Sequence, residues 1–89
     1  MNKINQTSHS LVSVVMCAYN AEKHIGETIQ SVLNQTYREF DFIIWNDGST
    51  DSTEVIVKSF KDDRIRYFYY ANTGLGMALN LACKEVRGG

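Results

Sequence analysis

Asp47 is the carboxylate best placed for chemistry in this 89-residue chain. It lies within Trp45-Asn46-Asp47-Gly48-Ser49-Thr50-Asp51, which closes an apolar run over residues 40–45 and opens a helix-compatible stretch. A strand that hands over to a helix must turn sharply, and the helix presents unpaired N–H groups outside the strand end. That is where open α/β sheets bind nucleotides. An acid there repels phosphate but accepts hydrogen bonds from a base or a sugar hydroxyl, so Asp47 reads as a nucleoside-recognition residue. Asn-Asp-Gly also favours tight hairpins, yet the residues after Gly48 are capped and helix-periodic, which argues against one. Ser49, Thr50 and Asp51 read as helix caps rather than ligands.

Other chemically suggestive residues have simpler readings. Gly74-x-Gly76 follows a strand and opens a helix, but Leu79 stands where a dinucleotide fingerprint needs its third glycine, and that fingerprint belongs to a first strand-turn-helix unit. His9 falls in a polar arm and His24 in an exposed helical turn, neither with partners for catalysis or metal. Cys17 and Cys83 are far apart, have no Cys-x-x-Cys spacing and fall in apolar stretches, which predicts buried thiols rather than a disulfide or zinc site. The tyrosines of residues 65–70 read as strand residues. Asn5-Gln6-Thr7 and Asn34-Gln35-Thr36 match the glycosylation sequon by chance composition.

The elements that would position Asp47 follow from periodicity. Residues 11–18, with Val12, Val14 and Val15, suit a strand covered on both faces. Asn20 is placed to cap a helix whose Ile25, Ile29, Val32 and Leu33 recur at i, i+4, i+7 and i+8. Residues 34–38 are loop-like, and residues 40–45 form a second buried strand. Asp51 and Glu54 have capping-box spacing, and Val55, Ile56 and Phe60 supply the apolar stripe of a second helix. Residues 65–70, β-branched and aromatic, predict a third strand. A turn over 72–76 leads to a third helix with Leu79, Ala82, Cys83 and Val86 inward, leaving at Gly88-Gly89. Three strand–helix alternations predict right-handed crossovers and a parallel sheet in the order 3-2-1. The first strand is then an uncharged edge, which predicts an incomplete sheet and self-association of this chain along that edge.

Composition bounds the rest. An apolar content of 44% with 21% charged residues fits a globular chain and excludes a disordered one. A net charge of -1 gives no electrostatic case for nucleic acid. Residues 1–10 form a flexible polar arm without the apolar core of a signal peptide, and no window approaches the ~20 apolar residues of a bilayer span. A cytoplasmic location is the default expectation.

At this point the motifs match a family. Val12-Ser13-Val14-Val15 leading to Ala18-Tyr19-Asn20-Ala21, then Ile29-Gln30-Ser31-Val32-Leu33-Asn34-Gln35-Thr36, then Asn46-Asp47-Gly48-Ser49-Thr50-Asp51 closely resemble the amino-terminal, nucleotide-binding half of family 2 glycosyltransferases. Asn72, Gly74 and Asn80 resemble the later Asn-x-Gly and Arg-Asn signals. The resemblance covers residues 11–89 and implies a partial, Rossmann-like three-layer GT-A domain. It implies that Cys17, Ala18 and Tyr19 line a nucleotide pocket, that Tyr19 stacks on the base, and that Asp47 accepts from the base edge, commonly uracil N3–H, with Asn46 beside it. A ring packed on a base contributes about 1 to 3 kcal/mol by analogy with nucleic-acid stacking platforms.

Three positions depart from the family pattern. Asn46 stands where a first Asp is usual, Cys17 where Pro or Thr is common, and Leu79 where an Arg would meet the diphosphate. The resemblance further implies inverting transfer from a nucleotide-diphosphate sugar to a glycan or lipid-linked acceptor, transient contact with the inner membrane face, and a divalent Mn or Mg ion. Its metal motif and catalytic carboxylate are expected beyond Gly89, so the segment alone is expected to ligate no metal, bind weakly and transfer nothing. The rival expectation is a non-catalytic module that pairs through its exposed sheet edge.

Overall fold

The computed structural model describes residues 12–86. The arm over residues 1–10 with His9 and the first sequon, Leu11, and the Gly88-Gly89 exit lie outside the described residues. Six elements alternate: β1 (Val12–Ala18), α1 (Ile25–Leu33), β2 (Phe40–Asp47), α2 (Thr53–Lys58), β3 (Ile65–Tyr70) and α3 (Leu75–Cys83). The strands form one parallel sheet in the order β1-β2-β3, with Ala18 opposite Asn46 and Asp47 opposite Tyr70. This is the expected three-stranded order with β2 central.

Alternation along the strands separates two cores. Val14, Met16, Phe40, Phe42, Ile44 and Tyr67 face α1 and α2, where Ile25, Ile29 and Val57 meet them. Val15, Cys17, Ile43, Trp45 and Phe68 face α3, which contributes Ala78, Ala82 and Leu81. β2 is buried along its whole length, as its continuous apolar run dictates. Trp45 stacks on Tyr70 and Phe68, with centroids 4.9 and 5.5 Å away. Arg66 ties α3 to the far end of the sheet. It forms a bidentate pair with Asp41 at 2.8 and 2.7 Å and donates to the Glu85 carbonyl.

Several local expectations are corrected. β1 is half-buried rather than covered on both faces, because among the described residues it pairs only with β2. Asn20 does not cap α1; the helix starts at Ile25 with His24 as its N-cap, because Asn20 is left-handed and bonded elsewhere. The Asp51–Glu54 box does not form, since Glu54 pairs with Lys58 at 3.1 Å. Val55 is 69% exposed, and Val57 fills the inward position. The buried residues of α3 are Ala78 and Ala82, which pack on Trp45 and Ile43 with the partly buried Leu81, while Leu79, Cys83 and, beyond the helix, Val86 are exposed. The thiols are free, but Cys17 is half-buried and Cys83 exposed.

Candidate functional site

The carboxyl ends of the three parallel strands open into three loops, over residues 19–24, 48–52 and 71–74; the first two are bonded to each other and the third to the end of β2. β2 runs two residues past its apolar stretch, so Asn46 and Asp47 are its last strand residues rather than turn residues. Their side chains therefore leave on opposite faces. Asp47 points towards the start of α3. Its Oδ1 accepts from the Thr73 N–H at 2.8 Å and the Thr73 hydroxyl at 3.2 Å, and its Oδ2 accepts from the Gly74 N–H at 3.0 Å. The Asn72 amide donates to the Asp47 carbonyl at 3.0 Å. Asp47 is fully buried, so the carboxylate fixes the third loop and terminates the N-terminal end of α3, where a negative charge is favourable.

Asn46 turns towards the α1–α2 layer. Its amide donates to the Tyr67 hydroxyl at 2.9 Å, and its Oδ1 accepts from the Ser49 N–H at 3.0 Å. Both halves of the amide are used in shaping the turn. A carboxylate there could not donate to Tyr67, which gives a physical sense to Asn at this position. Burial pushes the Tyr67 phenol upward and outweighs the Asn46 hydrogen bond, so it stays protonated at neutral pH.

Between the first and second loops runs a set of backbone-to-side-chain bonds. The Asn20 N–H donates to Ser49 Oγ at 2.8 Å and the Thr50 N–H to Asn20 Oδ1 at 2.8 Å. The Ala21 N–H donates to Thr53 Oγ1 at 2.9 Å. Glu22 and Asp51 exchange bonds in the manner of a capping box built across two loops: the Glu22 N–H donates to Asp51 Oδ2 at 3.2 Å, and the Ser52 N–H to Glu22 Oε1 at 3.0 Å. Asp51 Oδ1 also accepts the Thr53 N–H at 2.9 Å and its hydroxyl at 2.5 Å. Desolvation raises the Asp51 carboxyl, but the hydrogen bonds from Thr53 and the Glu22 N–H prevail and hold it below its ordinary range.

Of the sequence-expected residues, Cys17, Ala18, Asn46 and Asp47 stand at the carboxyl ends of two neighbouring strands, with Tyr19 just past the end of β1; Cys17 packs on the α3 face and Ala18 on the α1–α2 face. Ala18 is buried and Tyr19 is 45% exposed. Partial burial, then nearby Cys83 and Asp47, push the Cys17 thiol upward, so it lines the site as a neutral group. Asn46 lies on the same face as Ala18, opposite Cys17 and Asp47. Residue patterns alone missed Asn20, Glu22, Tyr67, Tyr69, Asn72 and Thr73 as parts of the frame. Asn20 did give a signal, since Asn tolerates the left-handed conformation better than most residues.

A family model described as Glycosyl transferase family 2 matches residues 13–89. An uncharacterised glycosyltransferase of Rickettsia typhi is 43% identical over 86 residues, which are 96% of this chain and 27% of that protein. The crystal structure of S. aureus TarS residues 1–349 superimposes with a TM-score of 0.80 at 31% identity, covering 88% of this chain and 25% of that one. The mannosyltransferase PcManGT from Pyrobaculum calidifontis, solved with GDP-Man and Mn2+, gives a TM-score of 0.80 at 24% identity, covering 92% and 26%. The last likeness speaks to the fold alone. The chain spans about a quarter of the length of these proteins.

Proposed function

The chain belongs to glycosyl transferase family 2, and from that premise we propose that it forms the donor-nucleotide half of a sugar transferase. In the complete reaction an acceptor hydroxyl bonds to the anomeric carbon from the face opposite the nucleotide diphosphate, as the bond to that leaving group breaks. The observation that supports this reading best is the placement of Tyr19 just past the end of β1 and of Asp47 at the end of β2, adjacent parallel strands with Ala18 opposite Asn46 in the register. An exposed phenol ring offers a stacking face, and the carboxylate at the neighbouring strand end offers an acceptor that selects an N–H on the base edge.

The state of Asp47 adds a condition. Its Oδ2 accepts one hydrogen bond, from Gly74, whereas a carboxylate oxygen can accept two. A uracil N3–H takes the remaining position once residues 72–74 give way over the buried acid. Among the described residues no group of three or more His, Cys, Asp or Glu side chains could hold a metal ion. These residues do not fit a metal site. The expected Mn or Mg belongs, in this reading, to parts of the enzyme that its longer relatives possess.

A glycan or lipid-linked acceptor and work at the cytoplasmic face of a membrane complete the proposal. No helix among the described residues is long and apolar enough to cross a membrane. The test varies the ligand rather than the protein, because replacing Asp47 would also release the third loop. Amide NMR titrations with UDP and with its N3-methyl analogue compare ligands that differ in one N–H. A charge-assisted hydrogen bond is worth about 1.5 to 3 kcal/mol, so the analogue is expected to bind at least tenfold more weakly. Equal affinities would remove Asp47 from base recognition.

A further inference from the structure

Tyr19 is almost half exposed, and no hydrogen bond or ring contact holds its side chain among the described residues. The backbone on either side of it therefore bears directly on where the ring stands. On one side is Ala18, the buried last residue of β1. On the other is Asn20, the one non-glycine residue with a positive φ among the described residues, at 49°. That conformation is unfavourable for an L-residue, though less so for Asn than for most. Two hydrogen bonds hold it, from the Asn20 N–H to Ser49 Oγ and from the Thr50 N–H to Asn20 Oδ1. Ser49 is itself anchored, its N–H donating to Asn46 and its carbonyl accepting from the Tyr69 hydroxyl at 3.0 Å. The loop of the middle strand thus sets the reversal that follows Tyr19.

We propose that Asn20 is a positioning residue for nucleotide recognition: held left-handed by Ser49 and Thr50, it fixes where the Tyr19 ring stands at the sheet edge. The proposal rests on the reading that Tyr19 packs against the base. Its physical benefit is preorganisation, because a ring already in place loses less freedom when a ligand arrives. Ala21, Glu22, Asp51, Ser52 and Thr53 add further bonds between the same two loops.

A double-mutant cycle tests it, with UDP affinity read by amide NMR titration of the whole chain. Tyr19→Ala is expected to weaken UDP about tenfold, within the range for loss of one stacking ring. Asn20→Ala is expected to weaken it about threefold when Tyr19 is present and not at all in the Tyr19→Ala background. Asn20→Asp keeps the acceptor and is expected to bind like the parent chain. Asn20→Gly, which keeps the left-handed backbone without the acceptor, runs through the same cycle in case Asn20→Ala does not fold. Additive losses would overturn the proposal, because Asn20 would then act independently of the ring. Failure of Asn20→Asp to restore binding would also count against it. An unchanged affinity for Tyr19→Ala is a separate outcome that removes the base-stacking reading and the proposal together.

Discussion

Gly48 shows how closely the second and third loops approach behind the acidic turn. Its φ is 73°, and a Cβ there would lie 2.6 Å from the Asn72 nitrogen and 3.1 Å from its Cα. Backbone cannot yield as a flexible side chain can. Gly48→Ala therefore combines a strained conformation with a clash, and it should also loosen the Asn72 amide from the Asp47 carbonyl. A loss of about 2 to 3 kcal/mol is expected in urea unfolding. Gly76 is the control: it lies in α3 with nothing within 4 Å of the added Cβ and no positive φ. Gly76→Ala is expected to stabilise by about 0.5 to 1 kcal/mol, the helix-propensity difference. Equal effects at the two glycines would remove the close approach as the cause. Asp47 itself was legible from its place at a strand end, but its burial was not. Nothing in the acidic turn announces that the donors of Thr73 and Gly74, 26 and 27 residues later, will enclose it.

At the scale of elements, the link from α2 into β3 is fastened by one guanidinium. Arg64 donates to both oxygens of Asp62 at 2.9 and 2.8 Å, to the Arg38 carbonyl at 3.1 Å and to the Leu33 carbonyl at the end of α1 at 3.3 Å. It also stacks over Phe40 at 4.5 Å. The side-chain hydrogen bonds from Arg64 pull the Asp62 carboxyl from its ordinary 3.8 down to about 2. A carboxyl lowered in the folded chain contributes stability that is present above pH 3.8 and lost as pH falls through about 2. Asp62 and Arg64 retain 26% and 22% of their side-chain exposure, so solvent screening reduces the contribution to about 1 kcal/mol. Urea midpoints between pH 5 and pH 2 should fall less steeply for Asp62→Asn than for the parent, and parallel curves would exclude this pair from the acid limb. Sequence patterns found β2 and α1 because burial alone decides them: Phe42, Ile43, Ile44 and Ile29 are all fully buried. They found Ala82 on α3 but misread the rest of its inward face, since apolar spacing pointed to Leu79, Cys83 and Val86, whereas Ala78 packs against Trp45 and Ile43 beside Ala82. They misread Asn20 because Asn suits both an N-cap and a left-handed turn, and residue type alone does not choose between them.

Across the whole molecule, α1 and α2 cover one face of the sheet and α3 the other. A right-handed crossover that changes face also changes its direction of travel across the sheet. A parallel strand following α3 would therefore lie beside β1 rather than beyond β3. In a chain that continues as its relatives do, β1 becomes central and its uncharged sequence is accounted for. In the 89-residue chain taken alone, β1 keeps one edge unpaired among the described residues, and Val12 is 47% exposed beside an apolar hollow lined by Val14, Val32, Tyr37 and Phe40. Leu75 and Leu79 add exposed apolar surface on α3. Such an edge templates pairing with another strand, and the strand always at hand is β1 of a second copy. Two β1 strands brought together antiparallel set no charge against another, because residues 12–18 contain none. Sedimentation equilibrium of this chain should therefore show an average mass that rises with concentration. Val12→Lys, which places a charge on the edge without touching the carboxyl-edge loops, should return it towards a single chain while leaving UDP binding unchanged. A parent chain that sediments as one copy at every concentration would overturn the pairing. An association that survives Val12→Lys undiminished would move it away from this end of β1, to surfaces such as α3.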